Sequence, residues 1–331
     1  MKKLLTLLLA VTLAALTFAS CTANNGDGKV TVNSDGEYTV GICQLVEHPA
    51  LDAATQGFID TLKAEYGDKV TIINNNASND TTVCSTIISN LVNKKVDLIL
   101  ANATPALQAA VGGTRNIPIL GTSITEYGVA LGIKDFSGTV GKNISGTSDL
   151  APLDQQAAMI KDLFPDAKTV ALLYCSAEPN SDYQVKQVKK YLIELGFKDS
   201  DIKNYPFADS NDVASVAAKA AECDVIYAPT DNTVANNAGL VNGAIGNTPL
   251  VAGEEGICSG CGVVTLSINY YDLGVATGKM AVKILNGEMS VTDMPIEYAA
   301  KFSKMCNPTK CAQLGIDTAA LEAKGYVAIG E

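Results

Sequence analysis

Tryptophan is absent and histidine occurs once, at position 48, in a chain of 331 residues of which only 6% are aromatic. A single histidine leaves any Ser-His-Asp or Cys-His arrangement one possible base, His48, and no nucleophile is set against it by spacing. Positive charge is also scarce. Lys and Arg number 24 against 35 Asp and Glu, a formal net charge of −11, which opposes a phosphate backbone and argues against nucleic acid as a partner. No Gly-x-Gly-x-x-Gly occurs. Gly274-Val-Ala-Thr-Gly278-Lys279-Met280 falls one residue short of a phosphate loop and has Met where Ser or Thr would hold magnesium. Neither a cofactor nor a metal site is expected, and an enzyme is disfavoured. Beyond residue 20 no apolar run approaches the roughly 20 residues that a membrane-spanning helix needs.

The first twenty residues are read as an export signal: Lys2 and Lys3 precede an apolar run, Leu4 to Leu16, followed by small residues up to Cys21. Phe18-Ala19-Ser20-Cys21 is similar to a lipobox, in which the cysteine thiol takes a diacylglycerol and becomes the mature N-terminus. An ordinary secretory signal with an incidental cysteine is the alternative. Residues 21–37, rich in Asn, Gly, Asp and Ser, have little to bury and suit a lipid-anchored tether. The expected location is extracytoplasmic, anchored to the membrane through Cys21.

From Tyr38 onward, short β-branched runs alternate with stretches of helical spacing, the pattern of βα units on a parallel sheet. Strands are expected at 38–46, 70–73, 98–101 and 117–122, with helices at 49–65, 80–93 and 105–111. The rhythm restarts after Gly146, with further strands near 169–174, 202–205, 225–228, 250–252 and 263–268 and a late helix at 272–285. The length favours two lobes. The fold class is therefore α/β, with two Rossmann-like lobes of parallel sheet flanked by helices and joined by a multi-crossover hinge. The first lobe is expected at 38–146 plus about 271–293, and the second at 147–270 plus about 294–331. A ligand belongs in the cleft at the carboxyl ends of the strands.

The segments at those ends are rich in hydroxyls, amides and carboxylates: Gln44 to Pro49, Ala103-Thr104-Pro105, Gly121-Thr122-Ser123, Gly146 to Asp149, Tyr174 to Asn180, Pro229 to Thr233 and Gly253 to Gly256. Free N–H groups and the positive ends of helix dipoles meet there, ready for an anion. Taken singly, each such Ser, Thr, Asp or Asn is better read as a cap of the helix that follows it, and the reading of a site rests on the set.

Val46-Glu47-His48-Pro49-Ala50-Leu51-Asp52, Ala103-Thr104-Pro105-Ala106, Gly146-Thr147-Ser148-Asp149, Ser176-Ala177-Glu178-Pro179-Asn180-Ser181, Pro229-Thr230-Asp231-Asn232-Thr233-Val234, Ala252-Gly253-Glu254-Glu255-Gly256 and Ile268-Asn269-Tyr270-Tyr271-Asp272-Leu273-Gly274 together resemble the substrate-binding lipoproteins of ABC transporters, in particular the tryptophan/tyrosine-type aromatic amino acid binders. The resemblance implies a type I periplasmic-binding-protein fold that closes on a hinge, an import role with ABC permease and ATPase subunits as partners, and a monomer. Gly121-Thr-Ser-Ile-Thr-Glu-Tyr127 departs from the Thr-Asp-Pro common at that place. A branched-chain amino acid, a nucleoside or a sugar stays open as ligand, as does a non-transport sensor.

An amino acid zwitterion needs donors for its carboxylate and a carboxylate for its ammonium. Thr104, Ser123, Thr147 and Ser148 are the candidates for the first. Asp231 is the leading candidate for the second, with Glu254 or Glu47 behind it. Asn232 and Gln44 can bridge, and Glu178 enters through the resemblance. Aromatic walls could come from Tyr174, Tyr227, Tyr270 or Phe207. Of the nine cysteines, the eight after Cys21 could pair as local disulfides or remain free thiols. A four-thiolate zinc site from Cys258, Cys261, Cys306 and Cys311 is the weaker alternative.

Overall fold

The computed structural model describes residues 36–329, so the signal, Cys21 and most of the tether lie outside the described residues. The first half of the chain alternates strand and helix as its periodicity dictates: β1 (Tyr38–Gln44), α1 (Pro49–Tyr66), β2 (Val70–Asn76), α2 (Thr81–Asn93), β3 (Leu98–Asn102), α3 (Thr104–Gly113), β4 (Ile119–Ile124), α4 (Tyr127–Leu131) and β5 (Ile144–Ser148). The second half repeats the pattern with α5 (Leu153–Leu163), β6 (Val170–Cys175), α6 (Pro179–Glu194), β7 (Ile202–Phe207), α7 (Val213–Ala220), β8 (Val225–Ala228), α8 (Asn232–Asn236), α9 (Ala238–Ile245), β9 (Leu250–Ala252), α10 (Glu255–Gly260) and β10 (Val264–Ser267). The chain then returns through α11 (Tyr270–Leu285) and β11 (Glu297–Tyr298), and ends with β12 (Ser303–Cys306), α12 (Pro308–Leu314), α13 (Thr318–Glu322) and β13 (Tyr326–Ala328).

Two sheets result, in the orders β11-β5-β4-β3-β1-β2 and β13-β12-β10-β9-β8-β6-β7. All pairings between these strands are parallel except β10 with β12. Each sheet is covered on both faces. In the first lobe Ile88, Leu91 and Leu107 pack one side, and Phe58, Leu62, Met280 and Ile284 the other. In the second, Ile160, Val188 and Leu192 oppose Val213, Val241 and Ile257. Burial on both faces is why the strands read as continuous apolar runs rather than alternating ones.

The chain crosses between lobes three times: after β5, between β10 and α11, and between β11 and β12. Helix α11 belongs to the first lobe because it lies directly on α1; a Cβ on Gly274 would come within 1.9 Å of the Ala54 carbonyl oxygen. The hydroxyls of Thr122, Thr147 and Thr277 bond one another at 2.8–3.3 Å and fasten α11 to β4 and β5.

Two expected boundaries shift. β5 carries Thr147 and Ser148 into the first sheet, and β11 pairs with β5 at Glu297↔Thr147 and Tyr298↔Ser148. The first lobe thus runs through 148 and reclaims 294–298. The Gly-rich stretch 138–146 hid β5, whose Gly146 sits at φ +145° and has no room for a side chain, since a Cβ there would meet the Gly121 carbonyl oxygen at 2.1 Å. Helices α4 and α12 and strand β13 were also beyond the periodicity, each being seven residues or shorter.

Candidate functional site

Both sheets point the carboxyl ends of their strands at the interlobe cleft, and the strand order sets the sequence of side chains across it. Going away from the hinge in the first lobe, Asp149 follows β5, Ser123 lies in β4, Thr104 opens α3, His48 precedes α1 and Asn79 precedes α2. The second lobe faces them with Glu254 before α10, Asp231 and Asn232 at the start of α8, and Glu178 and Asn180 at the start of α6. The lobes touch through His48 Nε2 and Asn232 Oδ1 at 3.3 Å, and through Asn79 Nδ2, which donates to Thr233 Oγ1 at 3.3 Å.

Two junctions have unusual backbones. Ala103 adopts φ 86° and ψ 155°, a region normally left to glycine, and Ser123 sits at φ 55°. Strain of this kind costs on the order of 1–3 kcal/mol and gathers at ligand sites. It occurs here at the start of α3, beside buried Thr104, and at Ser123, whose buried hydroxyl has no partner among the described residues.

Four carboxylates are buried around the cleft: Asp149, Glu178, Asp231 and Glu254. Among the described residues the ion pairs are Lys186–Asp182, Lys189–Asp199 and Lys190–Glu194, and none of them involves these four. Three of the four spend both oxygens on protein donors. Asp231 accepts the Val234 N–H at 2.8 Å and the Cys175 N–H at 2.7 Å, so its carboxylate caps α8 and ties it to β6. Glu178 takes the N–H and Oγ1 of Thr233 on one oxygen and the N–H and Nδ2 of Asn232 on the other. Glu254 caps α10 through the N–H groups of Gly256 and Ile257. Burial pushes Asp231 up to about 8 and Glu254 up to about 7.

Asp149 differs. Its Oδ2 accepts the Tyr270 hydroxyl at 3.0 Å, while its Oδ1 is buried without a partner among the described residues. Burial raises its pKa to about 6 against the opposing hydrogen bonds from Thr125 and Tyr270. Since Asp149 follows the first crossover strand and Tyr270 opens the helix after the second, this bond joins two strands of the hinge. Asn180 presents another buried, unpartnered acceptor, Oδ1, its Nδ2 being turned to the Thr230 carbonyl at 3.0 Å. Tyr270 also contacts the Thr230 side chain.

The residues singled out from the sequence therefore fall into three groups. Thr104, Ser123, Asn232 and Tyr270 are at the cleft with Glu178, Asp231 and Glu254, the last three holding helix ends. Thr147 and Ser148 turn into the first lobe: Thr147 bonds Thr122 and Thr277, and Ser148 donates to the Thr125 carbonyl and accepts the Leu150 N–H. Gln44 locks β1 to α1 through Thr55, Asp52 and Val46. Beside it, exposed Glu47 borders a lateral pocket with Asn74, Asn75 and Asn76. Tyr174, Tyr227 and Phe207 are core side chains of the second lobe, Tyr227 donating to Gln156 Oε1 at 2.6 Å. Asp149, Asn180 and His48 are the additions. Asp149 carries a legible signal: α5 begins at Leu153 with Pro152 in the capping place, so this acid has no helix to cap.

Among the described residues the eight cysteines after Cys21 are buried and form no disulfide. Among the described residues no group of three or more His, Cys, Asp and Glu could hold a metal ion, and no helix is long and apolar enough to cross a membrane.

A model of the family described as ABC transporter substrate binding protein matches residues 39–321. A tyrosine-binding protein of Clostridioides difficile strain R20291 is 33% identical over 305 residues, covering 89% of this chain and 87% of that protein. A Streptococcus pneumonia ABC domain solved in complex with L-Trp superposes with a TM-score of 0.82 at 31% identity, covering 88% of this chain and 100% of the other. The ligand-free, open structure of a Clostridium difficile substrate binding protein with adhesive properties gives 0.67 at 37% identity, covering 88% and 99%. Of these two solved structures, the more identical in sequence gives the lower TM-score.

Proposed function

The chain belongs to the ABC transporter substrate-binding protein family, and from that premise we propose that it captures an aromatic amino acid between its lobes and delivers it to an ABC permease. The observation that carries the ligand class is Asp149 Oδ1, a buried carboxylate oxygen with no partner, and no Lys or Arg paired to it, among the described residues. A buried charge needs a counter-charge, and a ligand ammonium supplies it. Asn180 Oδ1 and the Tyr270 hydroxyl complete the ammonium site. The carboxylate goes to the Ser123 hydroxyl and the free N–H groups of the first turn of α3 beside Thr104, where the helix dipole favours an anion. Asp231, Glu178 and Glu254 hold the surrounding helix ends in place rather than the ligand.

The L-Trp complex and the tyrosine-binding relative support an aromatic side chain. Binding and release without covalent chemistry is all this arrangement requires. The protein acts as a monomer outside the cytoplasmic membrane, tethered through a lipid on Cys21, with the permease and ATPase subunits as its partners.

A thermal-shift panel tests the reading. L-Trp or L-Tyr at one hundred times its dissociation constant should stabilise the fold by about 2.7 kcal/mol. Tryptamine and indole-3-propionate, each lacking one end of the zwitterion, should shift the melting temperature far less. Stabilisation by a sugar or nucleoside and by no aromatic amino acid would overturn the ligand class.

A further inference from the structure

His48 is the one histidine, and the account of the zwitterion leaves it unused. It is 7% exposed, precedes α1, and reaches across the cleft to Asn232. The state of its ring follows from its neighbours. Glu178 Oε2 accepts from both the backbone N–H of Asn232, at 3.1 Å, and its Nδ2, at 2.8 Å. The amide is thereby oriented with Oδ1 toward His48, 3.3 Å from Nε2. An amide oxygen only accepts, so Nε2 carries the proton and donates. Burial lowers the pKa of the ring and favours its neutral form, against the opposing hydrogen bond with Asn232 and the charges of Asp52 and Glu178. Nδ1 is then a lone-pair acceptor, buried, with no partner among the described residues.

We infer that His48 Nδ1 accepts a hydrogen bond from a donor carried on the ring of the bound amino acid, and so selects tyrosine or tryptophan over phenylalanine. This rests on the aromatic amino acid reading above. The strand order supplies the distance. Ser123 and Asp149, which would hold the two ends of the zwitterion, sit at the ends of β4 and β5, and Asp149 N–H donates to the Ile124 carbonyl. His48 follows β1, two strands beyond β4 in the same sheet. At roughly 4.8 Å per strand that separation is about 10 Å, a span that an aromatic amino acid bridges with the far edge of its ring. A phenol O–H or an indole N–H at that edge satisfies Nδ1, whereas phenylalanine leaves it buried and unpaired. A site built around such a bond rejects the analogue that lacks the donor.

The test is calorimetric titration of the protein and of His48→Leu with L-Tyr, L-Trp and L-Phe. The inference expects phenylalanine to bind the parent protein at least about tenfold more weakly than the better of the other two. In His48→Leu the affinities for that ligand and for phenylalanine should converge. His48→Leu also removes the contact with Asn232, which weakens all three ligands by a common factor, so the readout is the ratio. Asn232→Ala removes the acceptor that keeps the proton on Nε2, together with the Nδ2 bond to Glu178, and should therefore also bring the two affinities closer together. Equal affinity of the parent for phenylalanine and its hydroxylated or indole counterparts would overturn the role of His48 while leaving aromatic capture standing. So would a ratio that His48→Leu does not change. Failure of all three ligands to bind the parent overturns the aromatic reading itself.

Discussion

Replacing Asp149 by Asn is expected to weaken binding of an aromatic amino acid by at least about a hundredfold, roughly 2.7 kcal/mol, while the protein stays folded. The side chain keeps its size and its acceptor for the Tyr270 hydroxyl, which bonds Oδ2 at 3.0 Å. What disappears is the charge, and a ligand ammonium enclosed between the lobes is then left without a counter-ion. Asp231→Ala should behave in the opposite way. Its oxygens hold the N–H groups of Val234 and Cys175, so losing them costs about 1–2 kcal/mol of stability and spares affinity within a few-fold. Titration and thermal unfolding of both variants separate the two roles. A fully active Asp149→Asn with an inactive, stable Asp231→Ala would move the ammonium site to α8.

The unliganded protein should become more stable, and its ligand weaker, as the pH falls from 8 to 5. Burial raises Asp149 to about 6, Glu254 to about 7 and Asp231 to about 8. Each then has a folded-state pKa above its unfolded value, so folding takes up protons in this range. That stability is fully present below the unfolded carboxylate range and is lost as pH rises through about 6 to 8. Asp149 alone, moved from 3.8 to about 6, is worth on the order of 3 kcal/mol at about 1.4 kcal/mol per unit. The ligand reverses the sign at Asp149, since an ammonium binds the ionised form. Affinity should be flat above about pH 7 and fall by up to about tenfold per unit below about 6. Melting curves with and without L-Trp across this range should therefore converge toward acid. A melting temperature that drops on acidification from pH 8 to 5 without ligand would contradict the assignment of these buried acids.

The alternation of strand and helix, the two halves and the late return of the chain were legible because both-face burial writes continuous apolar strands, and amphipathic helices repeat at 3.6 residues. β5 and β11 were not, since a strand containing Gly146 and one of two residues carry almost no pattern. The site was legible as a set of junctions but not residue by residue. Asp231, Glu178, Glu254, Thr147 and Ser148 share their residue types with helix caps and turns, and only the partners of each oxygen tell a cap from a free acceptor. Gln44 illustrates the same limit: its amide is consumed within its own lobe by Thr55, Asp52 and Val46. Asp149 could have been found from its four-residue distance to the next helix, whereas the free Nδ1 of His48 depends on Asn232 and Glu178, 130 or more residues away.

Capture of an aromatic amino acid in the closed cleft is tested most directly by the emission of L-tryptophan itself, because the chain contains no tryptophan and the ligand is the only indole in solution. On titration with excess protein at pH 7.5 its emission should shift to the blue and saturate at one ligand per chain, as the lobes exclude water from the ring. Tyrosine should displace it and restore the emission of free tryptophan. Emission that stays at its aqueous position at every protein concentration would contradict capture of an aromatic amino acid between the lobes.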